Sequence, residues 1–179
     1  LTLQNVVMEY ITDRFVGLVI DELEANFPML LSSFTLMKAE AKEYIRKTQS
    51  SLFIEPIVEG MLRRVGKSST TEILQDMLAQ LHEERVAELH DAQSESGDRA
   101  YLAGNLLNLL IHMGISLEGA NLSHLQIQQV DLRGILLRDA DLSYADCTHS
   151  IFTDTFSSIT TIAFSPVSYT HLRAHETCG

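Results

Sequence analysis

The apolar pattern of the chain changes period near residue 114. Before it, Val6, Val7, Tyr10, Ile11, Phe15, Leu18, Val19 and Leu23 recur at helical spacing behind Asn5. The short "LTLQ" ahead of them reads as the end of a strand, and Pro28 closes or interrupts the helix. A second helical stretch is predicted from about Ser33 to Gly66, with Pro56 as a kink and Gly66 as a stop. From Thr70, behind a Thr or Ser cap, Ile73, Met77, Leu78 and Leu81 mark one face of a third helix. "HDAQSESGD" reads as loop, and "RAYLAGNLLNLLIHMG" as a mostly apolar, buried fourth helix.

Beyond it the period becomes five. Leu117, Leu122, Ile127, Leu132, Leu137, Leu142, Cys147 and Phe152 are all apolar. Two positions earlier in each unit stand Ile115, Ala120, Leu125, Val130, Ile135, Ala140, Ala145 and Ser150, apolar in all but the last. A helix swings residues five apart by about 140°, and a strand alternates them, so neither keeps the series on one face. A chain that turns a corner every five residues does, and four such units close a square coil. The pairs between, such as Glu118-Gly119, Gln128-Gln129 and Arg138-Asp139, are polar or glycine except for Tyr144, as solvent-facing corners should be. Ordering five backbone residues costs roughly 5 to 10 kcal/mol, against about 2 to 6 returned by two inward side chains. Bonds between coils and caps at both ends must supply the rest, and the helix from Arg99 to Met113 is the expected cap on one side.

The phrases "GANLSHL" and "RDADLSYADC", with "IQQVDLRGIL" as a looser version, resemble the pentapeptide-repeat family, whose unit is A-(D/N)-L-x-x. The resemblance runs from Ile115 to about Thr153. It implies an α+β fold class, an N-terminal helical region followed by a short right-handed quadrilateral β-helix. The eight residues from Leu117 to Phe152 would be its structural ladder, with Cys147 a small inward hydrophobe and no reactive thiolate.

Two more resemblances bear on organisation. "SIFTDTFSSITTIAFSP" is similar to the opening strand of a WD-repeat propeller. "LTLQNVVMEYITDRFVGLVIDEL" resembles the end of the winged-helix region in STAND-class signalling NTPases with an NB-ARC module, and "LMKAEAKEYIRKTQ" the helical linker after it. The divisions implied are 1–30, end of the winged-helix region and first helix; 31–113, helical linker; 114–153, repeat coil; and 154–166, first propeller strand. Residues 167–179 are set aside as a non-native tail, because Val167 to Thr177 reads residue for residue as translated sequencing adapter. The His171 and His175 pair beside Glu176, which on a helix would suit zinc, goes with it. An interior fragment of a longer protein is the expectation.

Charge narrows the partners. With 24 acidic against 13 basic residues the net charge is -11 and the pI near 4.9, which argues against a phosphate-backbone binder. The uncharged run from Ala100 to Leu117 carries Asn105, Asn108, His112 and Ser116, so it is not read as a membrane span. Cys147 and Cys178 form no metal spacing or disulfide framework, which fits a reducing cytoplasm. "VGKSST" imitates a Walker A end, but Gly60 stands one residue too far from Gly66. His82, His90, His112, His124 and His149 pair with nothing at a catalytic or metal spacing.

No catalytic, cofactor-binding or metal-binding residue is therefore expected. The resemblance implies ATP or ADP with magnesium in a parent NTPase, held upstream of Leu1. A non-catalytic linker between a nucleotide-binding module and a propeller sensor is the leading reading, with protein partners and self-association open at a bare coil edge. The alternative is an acidic repeat protein mimicking DNA against a type II topoisomerase, through Asp131, Asp141 and Asp146. Two coils span only about 10 Å, which opposes it.

Overall fold

The computed structural model describes residues 3–90 and 99–153. Among these described residues five α-helices precede a turn-built coil: α1 (Leu3–Glu24), α2 (Met29–Ser33), α3 (Glu43–Gln49), α4 (Glu55–His90) and α5 (Leu102–His112). Leu3 and Gln4 are helical, so the strand end read from "LTLQ" is not formed by these two residues. Only the C-terminal part of α1 is buried, through Val19, Ile20 and Leu23, while Val6, Val7, Met8, Tyr10 and Ile11 stay exposed. Asn26 ends the helix in the left-handed region at φ 53. The Asn26 and Phe27 amides then donate back to the Leu23 and Glu22 carbonyls at 3.2 and 3.0 Å, the usual closure of a helix end by an Asn or Gly.

The predicted helix from Ser33 begins only at Glu43, because side chains elsewhere have taken over the backbone donors between. Amides of Leu36, Lys38 and Ala39 donate to Asn105 Oδ1, Gln49 Oε1 and Gln129 Oε1 at 2.9, 3.0 and 3.0 Å. Leu36, Met37 and Ala39 are thereby buried in a non-helical segment. At Pro56, read as a kink, the helical path continues and the irregularity lies just upstream. Lacking an N–H, and with its ring crowding the carbonyl four residues back, it follows a π-helical turn at Ser50–Ile54. The helix then runs on until Gly66, at φ 82 and ψ 169, breaks α4. Thr70 is no cap: its Oγ1 donates to the Gly66 carbonyl at 2.7 Å. The Walker-like "VGKSST" is thus a bend within α4 and follows no strand.

Helix α4 packs on α1 and on α5. A Cβ at Gly60 would meet the end of the Ile20 side chain, which would have to turn aside to admit it. Leu102 to Leu110 on α5 are all buried. No helix among the described residues is long and apolar enough to cross a membrane.

From Gly114 the chain turns every five residues. Gly114, Gly119, His124, Gln129, Gly134, Asp139, Tyr144 and His149 all have φ between 58 and 71, the left-handed region that an L-residue enters at a cost. An acid or amide three residues before the left-handed residue shapes several turns. Asn121, Asp141 and Asp146 carboxamide or carboxylate oxygens accept the amides of Ser123, Ser143 and Thr148 at 3.1, 2.8 and 3.0 Å, which is the local bonding Asx residues favour. Parallel bridges Asn121 to Asp141, Gln126 to Asp146 and Asp131 to Ile151 join residues twenty apart. Two coils are therefore stacked, four five-residue turns to each.

The expected α+β class, with a quadrilateral β-helix, is corrected here. Among the described residues there is no strand and no sheet, and the regular structure is helical. The reason is the density of corners. Each bridge stands isolated between left-handed turns, so no two consecutive residues pair and no ladder grows. Residues 154–166, read as a propeller strand, and the tail 167–179 lie outside the described residues.

Candidate functional site: the helix–coil junction

Of the ladder read from the sequence, Leu117, Leu122, Ile127, Leu132 and Leu137 are buried, each at 3% exposure or less. Leu142, Cys147 and Phe152 are partly buried against the same core. Ser150, the polar exception in the companion series, accepts the Val130 amide at 2.8 Å and donates to the Ile127 carbonyl at 2.7 Å, so its hydroxyl ties one coil to the other. Burial, aided by the charge of Asp146, pushes the Cys147 thiol up to about 11. A thiol so raised stays protonated at neutral pH and is a poor nucleophile.

Helix α5 lies between the other helices and the coil, and two asparagines three residues apart bond it to both. Asn105, 1% exposed, donates to the Leu31 and Phe34 carbonyls at 2.8 and 2.6 Å and accepts the Leu36 amide. Asn108, 4% exposed, donates to the Gln129 carbonyl at 3.0 Å and accepts the Asp131 amide at 3.4 Å. Removing either would strand buried backbone groups, the costly form of hydrogen-bond loss. Gly104 lets α5 approach the coil here, since a Cβ would run into the Gln128 carbonyl oxygen.

A second contact is ionic. Asp131 on the coil receives Arg133 Nε at 2.7 Å and Arg46 Nε of α3 at 3.1 Å. Arg133 Nη2 also reaches its other oxygen, and Arg46 Nη1 donates to the Ala41 carbonyl. Partial burial pushes the Asp131 carboxyl up, but hydrogen bonds from Arg133 and the Arg46 charge outweigh it and hold the group below its usual range. Further out, His82 Nε2 meets Ser123 Oγ at 3.0 Å and His149 Nδ1 meets Glu40 Oε2 at 3.0 Å. His124 stacks on exposed Tyr144, ring centroids 4.9 Å apart.

An open cleft of about 510 Å3 lies at this junction, with Arg46, Lys47, His112 and Arg133 on its walls and Ile54 and Ile135 among its apolar residues. No cluster of three or more metal-ligating side chains occurs among the described residues. Sequence reasoning did not assign a role to Asn105, Asn108 or Arg46, whose partners across the junction lie 21 to 85 residues away in the chain, Arg46 to Asp131 being the longest separation. The asparagines interrupting an apolar helix were the available signal.

A family model for pentapeptide repeats matches residues 116–156 in eight copies. The chain is thus a repeat-containing protein, and repeats of this kind suggest a role in protein interaction. It is also similar, at 29% identity over 92% of its length, to a protein of Nostoc sp. described as an uncharacterized WD repeat-containing protein. The chain spans 15% of that relative's length. No solved structure matches it.

Proposed function

We propose that this chain is a non-catalytic connecting segment of a multidomain signal-transducing ATPase of the STAND and NB-ARC kind. Helices and coil would hold an upstream nucleotide-binding module and a downstream propeller sensor at a fixed geometry in the cytoplasm. The observation that carries this reading is α5, which is buried and bonded through Asn105 to the helical side and through Asn108 to the coil. A joint made this way transmits a rotation instead of absorbing it, because packed interiors deform little. The relative with WD repeats and the family-like phrases at residues 1–23 and 36–49 support the neighbours assigned on either side.

The DNA-mimic reading gains no support. Asp131 is paired with two arginines, while Asp141 and Asp146 accept amides of their own turns. In the full-length parent, Asn108→Ala is expected to leave ATP hydrolysis intact and to abolish the change in propeller proteolysis that nucleotide exchange brings about. An unchanged propeller response in a folded variant would refute the proposed relay.

A further inference from the structure

The cleft at the junction has features of a ligand site that the connecting role does not require. In a chain of net charge -11 with 13 basic residues, Arg46, Lys47 and Arg133 converge on one opening. Two acids accompany them, Glu43 paired with Lys47 at 2.6 Å and Asp131 shared by both arginines. Against these two carboxylates the three basic side chains leave one net positive charge. Asp131 also fixes both guanidinium groups, each of which has five N–H donors and uses only part of them on Asp131 and the Ala41 carbonyl. Donors already held in place lose little freedom on binding an anion, and a planar fork suits a carboxylate.

The remaining lining combines apolar Met37, Ile54, Ile111 and Ile135 with polar Ser50 and Asn108. An open cleft of about 510 Å3 lies within the range of about 300 to 1,000 Å3 of small-molecule sites, which combine apolar walls with a few placed polar groups. We infer that this cleft binds a small monocarboxylate with an apolar body, its head on Arg46 and Arg133 and its tail against Ile54 and Ile135. A single negative charge matches the net charge of the walls; a dianion would leave one charge uncompensated. Because α3 and the coil each contribute an arginine, such a ligand bridges the two sides and stabilises the joint by mass action.

Calorimetric titration of the whole chain with decanoate, below its micelle concentration, tests this. One decanoate is expected per chain, with a rise in the thermal midpoint and no uptake of decylammonium of equal length. Arg133→Gln is expected to weaken binding about tenfold or more, as loss of a charged hydrogen bond does. Arg138→Gln, the same charge change at an exposed corner outside the cleft, is expected to leave it unchanged. Should Arg133→Gln fail to fold by circular dichroism, Lys47→Gln on the exposed rim replaces it, with an expected severalfold loss. The inference is overturned by no binding at millimolar decanoate, by equal uptake of the cation, or by equal weakening in Arg138→Gln.

Discussion

The two turns of the coil share one backbone plan and differ in what covers them. Leu122, Ile127 and Leu132 in the first are at 0% exposure, while Leu142 and Cys147, twenty and twenty residues after the first two, are only partly buried, as is Phe152 after Leu132. Repeat register cannot account for this, since the left-handed corners continue unchanged from Gly119 to His149. The difference is α5, which lies on the first coil through Gly104 and Asn108. In a stack of turns, each layer is completed by its neighbour, so the first coil is a core layer, while the second is enclosed at Leu137, 2% exposed, and more open along the rest of its ladder.

The strongest test substitutes the same residue in both. Leu132→Asp places a carboxylate where nothing can pair with it, and is expected to destabilise by about 4 kcal/mol or more, abolishing cooperative unfolding of the coil. Leu142→Asp should cost about 1 to 2 kcal/mol, since its side chain can turn toward water. Urea unfolding followed by circular dichroism measures both. Equal losses would mean that the two layers are equally enclosed. Arg138, an exposed corner, is the neutral control; Arg133, a corner too in the sequence, is held by Asp131 and is unsuitable.

Next in size is Gly104→Ala, which wedges α5 away from the first coil while leaving the coil's own sequence unchanged. Its Cβ would meet backbone, which cannot rotate away, so overpacking of about 2 to 3 kcal/mol is expected. Gly17→Ala in α1 meets nothing within 4 Å and should stabilise by about 0.5 to 1 kcal/mol. Thermal unfolding of the pair checks whether the cost belongs to the joint.

How much of this was readable in the chain depends on the range of the interaction. The five-residue period and its polar corners were legible because the device that makes the turn is local: an Asp or Asn bonds an amide two residues on, as Asp141 does with Ser143. Gly66 was legible for the same reason. The non-helical segment around Leu36 to Ala39 was not, because its amides are satisfied by Asn105 and Gln129, 69 and 90 residues away. The β-helix expectation failed on a different point. Periodicity reports how often the chain turns, whereas a strand needs successive paired residues, and the corners leave room for isolated bridges only.

Acid should act on the second coil through its turn aspartates. Asp141 is held below the usual carboxylate range by hydrogen bonds from Ser143. At Asp146 partial burial pushes upward, but bonds from Thr148 and Gln128 prevail and the group is also lowered. A carboxyl whose folded value lies below its unfolded value contributes stability above the unfolded value, and loses it as pH falls through the folded one. The contribution of these two aspartates should therefore be constant between about pH 5 and 7 and be lost below about 4. Asp141→Asn, which keeps an acceptor, should flatten part of that fall in a series of thermal midpoints.

The smallest effect concerns the corners themselves. The first coil has Gly119 and Gly134 at two of its left-handed positions, where the second has Asp139, Tyr144 and His149 and no glycine. Asp139 is exposed at φ 58, and the left-handed region costs a residue with a Cβ about 1 to 2 kcal/mol, less for Asp than for most. Asp139→Gly removes that strain but frees the unfolded chain, an opposing contribution of about 0.4 to 1 kcal/mol. The net is a stabilisation of about 0.5 kcal/mol, read as a rise of about 2 °C in the thermal midpoint. Gly134→Asp should lower the midpoint by about as much, through its left-handed φ of 70 alone, since a Cβ there meets nothing within 4 Å. If both substitutions shifted the midpoint in the same direction, left-handed corner strain would not distinguish the layers, and their difference would rest on α5 alone.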